Sequence, residues 1–395
     1  MTFRVAVVIG TRPEAIKMAP VVAALREHPD LQTILISTAQ HRQMLDQVLP
    51  IFGLKPDVDL GLMEPAQDLG ELTSRVLVHM RRTLQDVAPH LVFVQGDTTT
   101  VMATALAAFY SRIPIGHVEA GLRTYDLDNP FPEEANRRVA GIFAALHFAP
   151  TSRAADALLA EGAPPERVMV TGNTCIDALQ WTAAVPFTSS DPGLSAAIQS
   201  GRMVLVTSHR RESFGPELES ICLALRDLVT TLPDVHVVYP VHLNPHVRQT
   251  VTRCLHGVDR VHLLDPLDYQ SFVYAMRYAT LVLTDSGGVQ EEAPSLGKPV
   301  LVLRHVTERP EAAEAGLAKV IGTDREAIVG AARTLLTQPL AYAAMVGTVS
   351  PYGDGEAARR IALASARWLR GERPLLDPGE QFCAAAVRES MERVA

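Results

Sequence analysis

Residues 4–25 read RVAVVIGTRPEAIKMAPVVAAL, and this stretch decides the fold class. The run 4–9 is almost continuously apolar and rich in valine, the pattern of a strand buried on both faces. Gly10 directly after it permits a tight turn. Pro13 suits the first turn of a helix, where a missing N–H leaves nothing unpaired. Met18, Val21, Val22 and Leu25 then recur at i, i+3, i+4 and i+7, the buried face of that helix. Strand, glycine turn and helix in immediate succession form the opening unit of a parallel α/β sheet.

The same alternation continues outward. Apolar strand-like runs fall at 33–38, 91–95, 113–118, 147–149 and 168–171, and a second series at 203–207, 235–241, 261–264, 281–284, 300–303 and 319–321. Helical patterns lie between them, so each series of six predicts a doubly wound parallel sheet covered on both faces. The stretch 185–201, VPFTSSDPGLSAAIQSG, is rich in Pro, Ser and Gly and is the expected linker. The fold class expected is α/β, with two Rossmann-like domains and the cleft between them as the ligand site.

Composition narrows the function. A chain of 395 residues exceeds one ordinary core, and 47% hydrophobic against 20% charged residues supports sizeable ones. The net charge of -8, with no long basic run, argues against nucleic acid and anionic membrane as partners. Cys175, Cys222, Cys254 and Cys383 are scattered without zinc-type pairing, which fits a reducing cytoplasm. The N-terminus reads as a first strand and not as a signal peptide, and no apolar stretch is long enough to span a membrane.

Four groups of residues carry chemistry. In 10–17, GTRPEAIK, a helix N-terminus after a strand is a ready anion site, and Arg12 and Lys17 add positive charge; the plain alternative is a βα loop with two solvated cations. In 285–292, DSGGVQEE, Ser286 can cap a helix, while Gly287 and Gly288 let a phosphate approach backbone N–H groups. Glu291 or Glu292, one turn in, can accept ribose hydroxyls; the alternative is a capped helix with glycine in its turn. The third group is acidic: Asp97, Glu119, Glu133 and Glu134, with Arg137 one turn after Glu133. Asp97 and Glu119 follow strand-like runs, where open α/β sheets place their sites. Asp97 could instead cap the next helix, and Glu133 with Arg137 could be a surface pair. The fourth, 208–212, SHRRE, sets His209 beside two arginines at a strand end, which suits a diphosphate; the alternative is a solvated basic loop. His242 in PVHLNP is the only other histidine singled out. The run 353–358, GDGEAA, matches a dinucleotide glycine pattern but follows Pro351 and Tyr352 and no strand, so nothing asks for NAD, and nothing asks for a metal.

Taken in order, GTRPEAIKMAP, TAQHRQMLDQVL, GDTTT, GHVEAGLRT, PEEANR, TGNT, HRRE, YPVHLNP, TDSGG, QEEAPSLGKPVLVLR, TERPEA and PYGDG resemble the non-hydrolysing UDP-N-acetylglucosamine 2-epimerases, from about residue 3 to about residue 369. The resemblance implies two Rossmann-like domains of the glycosyltransferase-B type around a deep cleft, a homodimer, and no cofactor. On this reading 1–184 is the N-terminal domain with the catalytic acids, 185–365 the UDP-binding domain, and 366–395 a helical tail packing back on the first. Asp97, Glu119, Glu133, Arg137 and His209 match residues assigned to catalysis. Arg12, Lys17, Phe272, Ser286, Gly287, Gly288, Glu292 and Arg309 match residues that hold UDP-sugar. Gln40, Gln43, Arg210 and His242 match positions linked with a second, activating UDP-GlcNAc in some members. The chain departs from such members at Leu267 and Ala66, and its tail 371–395 is longer than usual.

The implied reaction interconverts UDP-GlcNAc and UDP-ManNAc. The C2 hydrogen is not beside a carbonyl, so proton removal is coupled to departure of UDP from C1, and UDP then returns as a proton arrives on the other face. This needs carboxylates near C2 and cations around the diphosphate. A hydrolysing relative releasing ManNAc and UDP, a glycosyltransferase of the same fold, and a non-catalytic UDP-sugar sensor are the competing readings. The acids together with His209 exceed what UDP binding alone requires.

Overall fold

The computed structural model describes residues 2–39, 42–63, 67–199, 201–210, 214–346 and 349–384, with the backbone alone for 42–44. The chain forms two compact units, one built from the residues up to Gln180 together with Tyr352–Cys383, the other from Trp181–Pro351.

The first unit opens with β1 (Phe3–Ile9), α1 (Arg12–Glu27), β2 (Leu31–Ser37), α2 (Arg42–Val48) and β3 (Val58–Asp59). It continues with α3 (Leu69–Val87), β4 (Leu91–Gln95), α4 (Thr99–Tyr110), β5 (Ile115–Val118) and α5 (Glu133–Phe143). Next come β6 (Leu146–Ala149), α6 (Ser152–Ala160), β7 (Val168–Val170) and α7 (Thr174–Ala184), whose last turn enters the second unit. The strands form one seven-stranded sheet in the order β3-β2-β1-β4-β5-β6-β7, with every described pairing parallel. Its core sets Ala6, Val8, Ile36, Val92 and Val94 against Met80 and Leu84 of α3 and Val101 and Ala105 of α4. The seventh strand, β3, corrects the six read from sequence: it has two residues, paired with Ile36 and Ser37, too few to show any periodicity.

The second unit holds α8 (Pro192–Gln199), β8 (Met203–Thr207), α9 (Pro216–Thr231), β9 (His236–Pro240), α10 (Pro245–Leu255) and β10 (Val261–Leu264). After these come α11 (Tyr269–Tyr278), β11 (Leu281–Thr284), α12 (Gly287–Ser295), β12 (Val300–Val302), α13 (Pro310–Glu314), β13 (Ala318–Val320), α14 (Arg325–Thr337) and α15 (Pro339–Val346). Its sheet has six strands in the order β10-β9-β8-β11-β12-β13. Val204, Val206, Val237, Tyr239, Leu281 and Leu283 pack there against Ile221, Leu225 and Leu228 of α9. The stretch 185–201, expected to be a linker, contains α8, which buries Leu194 and Ala197 and packs on β9 and β10.

The chain re-enters the first unit at Tyr352 and ends its helices there with α16 (Ala357–Leu369) against α1. Residues 352–365, assigned to the second domain from sequence, thus belong to the first. Polar contacts fix them. Asp177 of α7 accepts from Ala358 N at 2.8 Å, and Arg360 forks onto Asp354 at 2.7 Å while donating to Thr171 O at 3.1 Å. Beyond Leu369 the described tail is not the expected helix. It runs irregularly through a 3-10 turn at Pro378–Glu380 to the edge of β7, where Phe382 N donates to Val170 O at 2.8 Å. Among the described residues no helix is long and apolar enough to cross a membrane.

In both sheets the chain winds from a central strand to one edge, then restarts beside that strand and winds to the other. The reversal lies between β1 and β4 in the first sheet and between β8 and β11 in the second. Loops at the carboxyl ends of such strands diverge and leave a crevice, the place where doubly wound sheets bind ligands.

Candidate active site

At the reversal point of the first sheet the loops after β1 and β4 are joined through Glu14. This carboxylate is 1% exposed, accepts from Gly10 N and Thr11 N, and takes the Thr98 hydroxyl from the other loop. Thr11 caps α1 in return, with Pro13 in the first turn as expected. Asp97 sits on the second of these loops. It does not cap α4; Thr98 does, accepting from Val101 N at 3.3 Å. The Asp97 carboxylate meets Arg137 Nη2 at 2.8 Å, and its carbonyl accepts from Asn136 Nδ2 at 3.0 Å. Arg137 is no surface partner of Glu133: it is 8% exposed, reaches Asp97 and Glu134, and bonds only the backbone carbonyl of Glu133.

Glu119 follows β5, the neighbour of β4, in the left-handed region at φ 60°. A non-glycine residue is held there only by strong local constraint. Its Oε1 accepts from Lys17 Nζ at 2.5 Å and from Asn173 Nδ2 at 3.0 Å, and its Oε2 from Gln95 Nε2. Glu133 opens α5 with Oε2 buried and without a hydrogen-bond partner. Burial raises the Asp97 pKa to about 6, with Glu119 and Glu133 adding to the rise and Arg137 and Lys17 opposing it. A carboxyl poised near neutrality beside a donor-saturated one can take and return a proton.

At the reversal point of the second sheet one buried carboxylate ties the loops after β8 and β11. Asp285, 0% exposed, accepts on Oδ2 from His209 N at 2.8 Å, Arg210 N at 2.9 Å and Ser208 Oγ at 3.1 Å. Its Oδ1 lies 3.4 Å from His209 Nδ1. The His209 ring stacks on His242 with centroids 5.5 Å apart. Lost hydration lowers the His209 pKa, with Asp285 opposing and His242 and Arg210 adding.

Beside this pair, α12 begins with Ser286, Gly287 and Gly288. Ser286 is the N-cap residue but its side chain makes no capping bond, against the capped-helix alternative. A Cβ at Gly288 would meet nothing within 4 Å, and one at Gly287 only Arg210 Nη2 at 3.8 Å. The helix start is therefore open to an anion with a guanidinium beside it. Of the two glutamates, Glu291 is buried and bonds Arg309 Nε, while Glu292 is half-buried. Arg210 Nη1 bonds Glu308 at 3.3 Å. Phe272 is half-buried on α11.

The structure thus gathers Asp97, Glu119, Glu133, Arg137 and Lys17, with Arg12 at the start of α1, in one unit, and His209, Arg210, His242, Ser286, Gly287 and Gly288 in the other. Gln40, Ala66, Arg211, Glu212 and the side chain of Gln43 lie outside the described residues.

Residues 23–364 match the family UDP-N-acetylglucosamine 2-epimerase. The chain belongs to the UDP-N-acetylglucosamine 2-epimerase family. It is 55% identical over 369 residues to a probable UDP-N-acetylglucosamine 2-epimerase of Ralstonia nicotianae, covering 91% of this chain and 98% of that one. It is 52% identical over 364 residues to the UDP-N-acetylglucosamine 2-epimerase of Escherichia coli, covering 91% and 97%. The crystal structure of the UDP-GlcNAc 2-epimerase of Neisseria meningitidis, bound to UDP-GlcNAc, superposes with a TM-score of 0.84 at 45% identity, covering 92% of this chain and all of that one.

Glu134 is named among the acids in the sequence, but its local role, and the contacts of Glu14, Gln95, Asn173 and Asp285 in this epimerase-family chain, are not read there. Glu134, 0% exposed, pins the loop before α5 by accepting from Thr124 N at 3.0 Å and Tyr125 N at 3.1 Å. Glu14 and Asp285 likewise accept from loop N–H groups, whereas Gln95 and Asn173 donate their amides to Glu119. The signal available was a polar residue at the end of an apolar run, at Gln95 and Asp285. Asn173 lies in the TGNT motif, but nothing local gives it a role, since its partner is 54 residues away.

Proposed function

We propose that this chain interconverts UDP-GlcNAc and UDP-ManNAc by elimination and re-addition of UDP, without net hydrolysis. The observation that carries the reading is the acid set itself: Asp97 against Arg137 at 2.8 Å, with Glu119 held by Lys17 and Asn173, and burial raising the Asp97 pKa to about 6. In the forward direction a carboxylate of this set takes the C2 proton, the C2–H electrons form the C1–C2 double bond, and the C1–O bond breaks to release UDP. In the second half UDP re-adds at C1 and a carboxyl of the set delivers a proton to the opposite face of C2. Asp97, Glu119 and Glu133 share these transfers, and His209 and Arg137 help with the leaving UDP and its charge. His209, Arg210 and the open start of α12 suit the diphosphate, and Glu292 suits the ribose. Arg12, Lys17, Phe272 and Arg309 complete the proposed substrate contacts. The scheme consumes no redox equivalent and calls on no metal.

We also infer a cytoplasmic setting, which the four free thiols support, and a homodimer. Arg210 and His242, together with Gln40 and Gln43, are proposed to serve an activating second UDP-GlcNAc.

Proton NMR of the purified protein with UDP-GlcNAc in deuterium oxide tests the reaction. UDP-ManNAc carrying deuterium at C2, formed in the presence of EDTA and without added NAD, is the expected product. Accumulation of free ManNAc with UDP would assign the chain to the hydrolysing class, and unchanged UDP-GlcNAc would overturn the proposal.

A further inference from the structure

Two motifs, TGNT at 171–174 and PYGDG at 351–355, have no part in the chemistry above, yet the structure brings them against each other, and the first of them against Glu119. Asn173 is 2% exposed. Its Nδ2 donates to Glu119 Oε1 at 3.0 Å, and its Oδ1 accepts from Cys175 N at 3.2 Å. Its backbone N–H donates to Tyr352 O at 2.6 Å, where the chain returns to the first unit. The preceding Gly172, in the left-handed region at φ 86°, allows this approach: a Cβ there would stand 3.3 Å from Gly353 Cα. The return segment is itself anchored by Gln180 Nε2 on Asp354 O at 3.4 Å and by the Arg360–Asp354 fork. Asn173 is therefore fixed by its backbone and by its own Oδ1, and presents its amide to Glu119 in one orientation.

Glu119 needs such support. Its backbone is in the left-handed region, and its orientation depends on three donors: Lys17 Nζ and Asn173 Nδ2 on Oε1, and Gln95 Nε2 on Oε2. We propose that Asn173 is a positioning residue for the epimerisation: braced by the segment where the chain re-enters the first unit, it holds the Glu119 carboxylate in its reactive orientation. The inference rests on the epimerase reading above.

The test compares Asn173→Ala, Asn173→Ser and Asn173→Asp with the wild type in kcat, KM for UDP-GlcNAc, and the pH profile of kcat. Serine can keep the local bond from Cys175 N but is too short to reach Glu119, so it removes the one contact at issue. In Ala and Ser variants kcat should fall on the order of tenfold to a hundredfold, the cost of a small misplacement of a reacting group, while KM stays within about twofold. Asp97 sets the acidic limb and Glu119 is one of the charges that raise it, so a Glu119 carboxylate displaced from its place should shift that limb. The Asp variant, which sets a like charge against Glu119, should move it furthest.

A Ser variant that melts like the wild type and keeps its kcat and profile would overturn the proposal. So would a fall in kcat with no movement of the limb, which would reduce Asn173 to packing. If the alanine variant fails to fold, the serine variant decides. A wild type that leaves UDP-GlcNAc unchanged sinks the epimerase reading and this inference with it, whereas an active wild type matched by its Asn173 variants sinks the positioning role alone.

Discussion

At the scale of single residues, Asp97 is where the pH dependence of this protein should be visible. Burial is the largest cause of its raised pKa, about 6, and the Arg137 guanidinium at 2.8 Å only partly offsets it. The kcat/KM profile should therefore carry a limb near pH 6 that disappears in Asp97→Asn, together with roughly a hundredfold or more of turnover. Stability follows the same proton. The folded state binds it more tightly than the unfolded chain, whose Asp titrates at about 3.9. The stabilisation is fully present below that value and is lost as pH rises through about 6. Melting temperatures of the wild type should thus fall relative to Asp97→Asn between pH ~4 and pH ~7. A difference that does not vary with pH would contradict the assignment. Asp97 itself was legible in the sequence from its place after a strand. Its competing role as a helix cap was not, because that depends on whether Asp97 or Thr98 turns toward the first N–H groups of α4, and Thr98 does.

At the scale of elements, the start of α1 has the most to lose. Thr11 and Glu14 form a reciprocal cap, and Glu14 also takes the Thr98 hydroxyl from the loop that carries Asp97. Thr11→Ala should cost about 1 kcal/mol in a denaturant melt, the usual worth of an N-cap. Glu14→Ala should cost several kcal/mol, because Gly10 N and Thr11 N lose their acceptor in a buried place, at about 1–3 kcal/mol each. Its turnover should fall as well, since the Asp97 loop loses its tie to α1. Equal losses in the two variants would show that Glu14 acts as a cap and nothing more. The long apolar strands and the amphipathic helices were readable because burial imposes period on many residues at once. β3 was not, having two residues, and neither was α8, whose glycine, proline and serine composition imitates a linker while Leu194 and Ala197 dock on the second sheet.

At the scale of the whole molecule, the proposed homodimer has a candidate face. Phe109, Tyr110 and Ile142 are 53%, 61% and 77% exposed at the ends of α4 and α5, and Phe109 stacks on Phe143 at 4.7 Å. Large apolar side chains grouped in solvent mark an interaction surface, and a second copy of the same patch is self-complementary about a two-fold axis. Ile142→Asp should shift the mass measured by light scattering from dimer to monomer, and an unchanged dimer would exclude this face. The sequence alone determined the α/β class, the two parallel sheets, the family and the residue types available for chemistry. Those properties are written in local periodicity and in short motifs that need no partner to be recognised. Tertiary structure alone decided which of these residues meet. It set Arg137 on the Asp97 carboxylate and not on that of Glu133, and His209 on Asp285 and His242. It also returned residues 352–383 to the first unit, where Asn173 meets both Glu119 and Tyr352. The physical reason is that hydrogen bonds and ion pairs act over about 3 Å, whereas the residues they join are brought within that reach only when the sheet order is set and the buried polar groups find their partners.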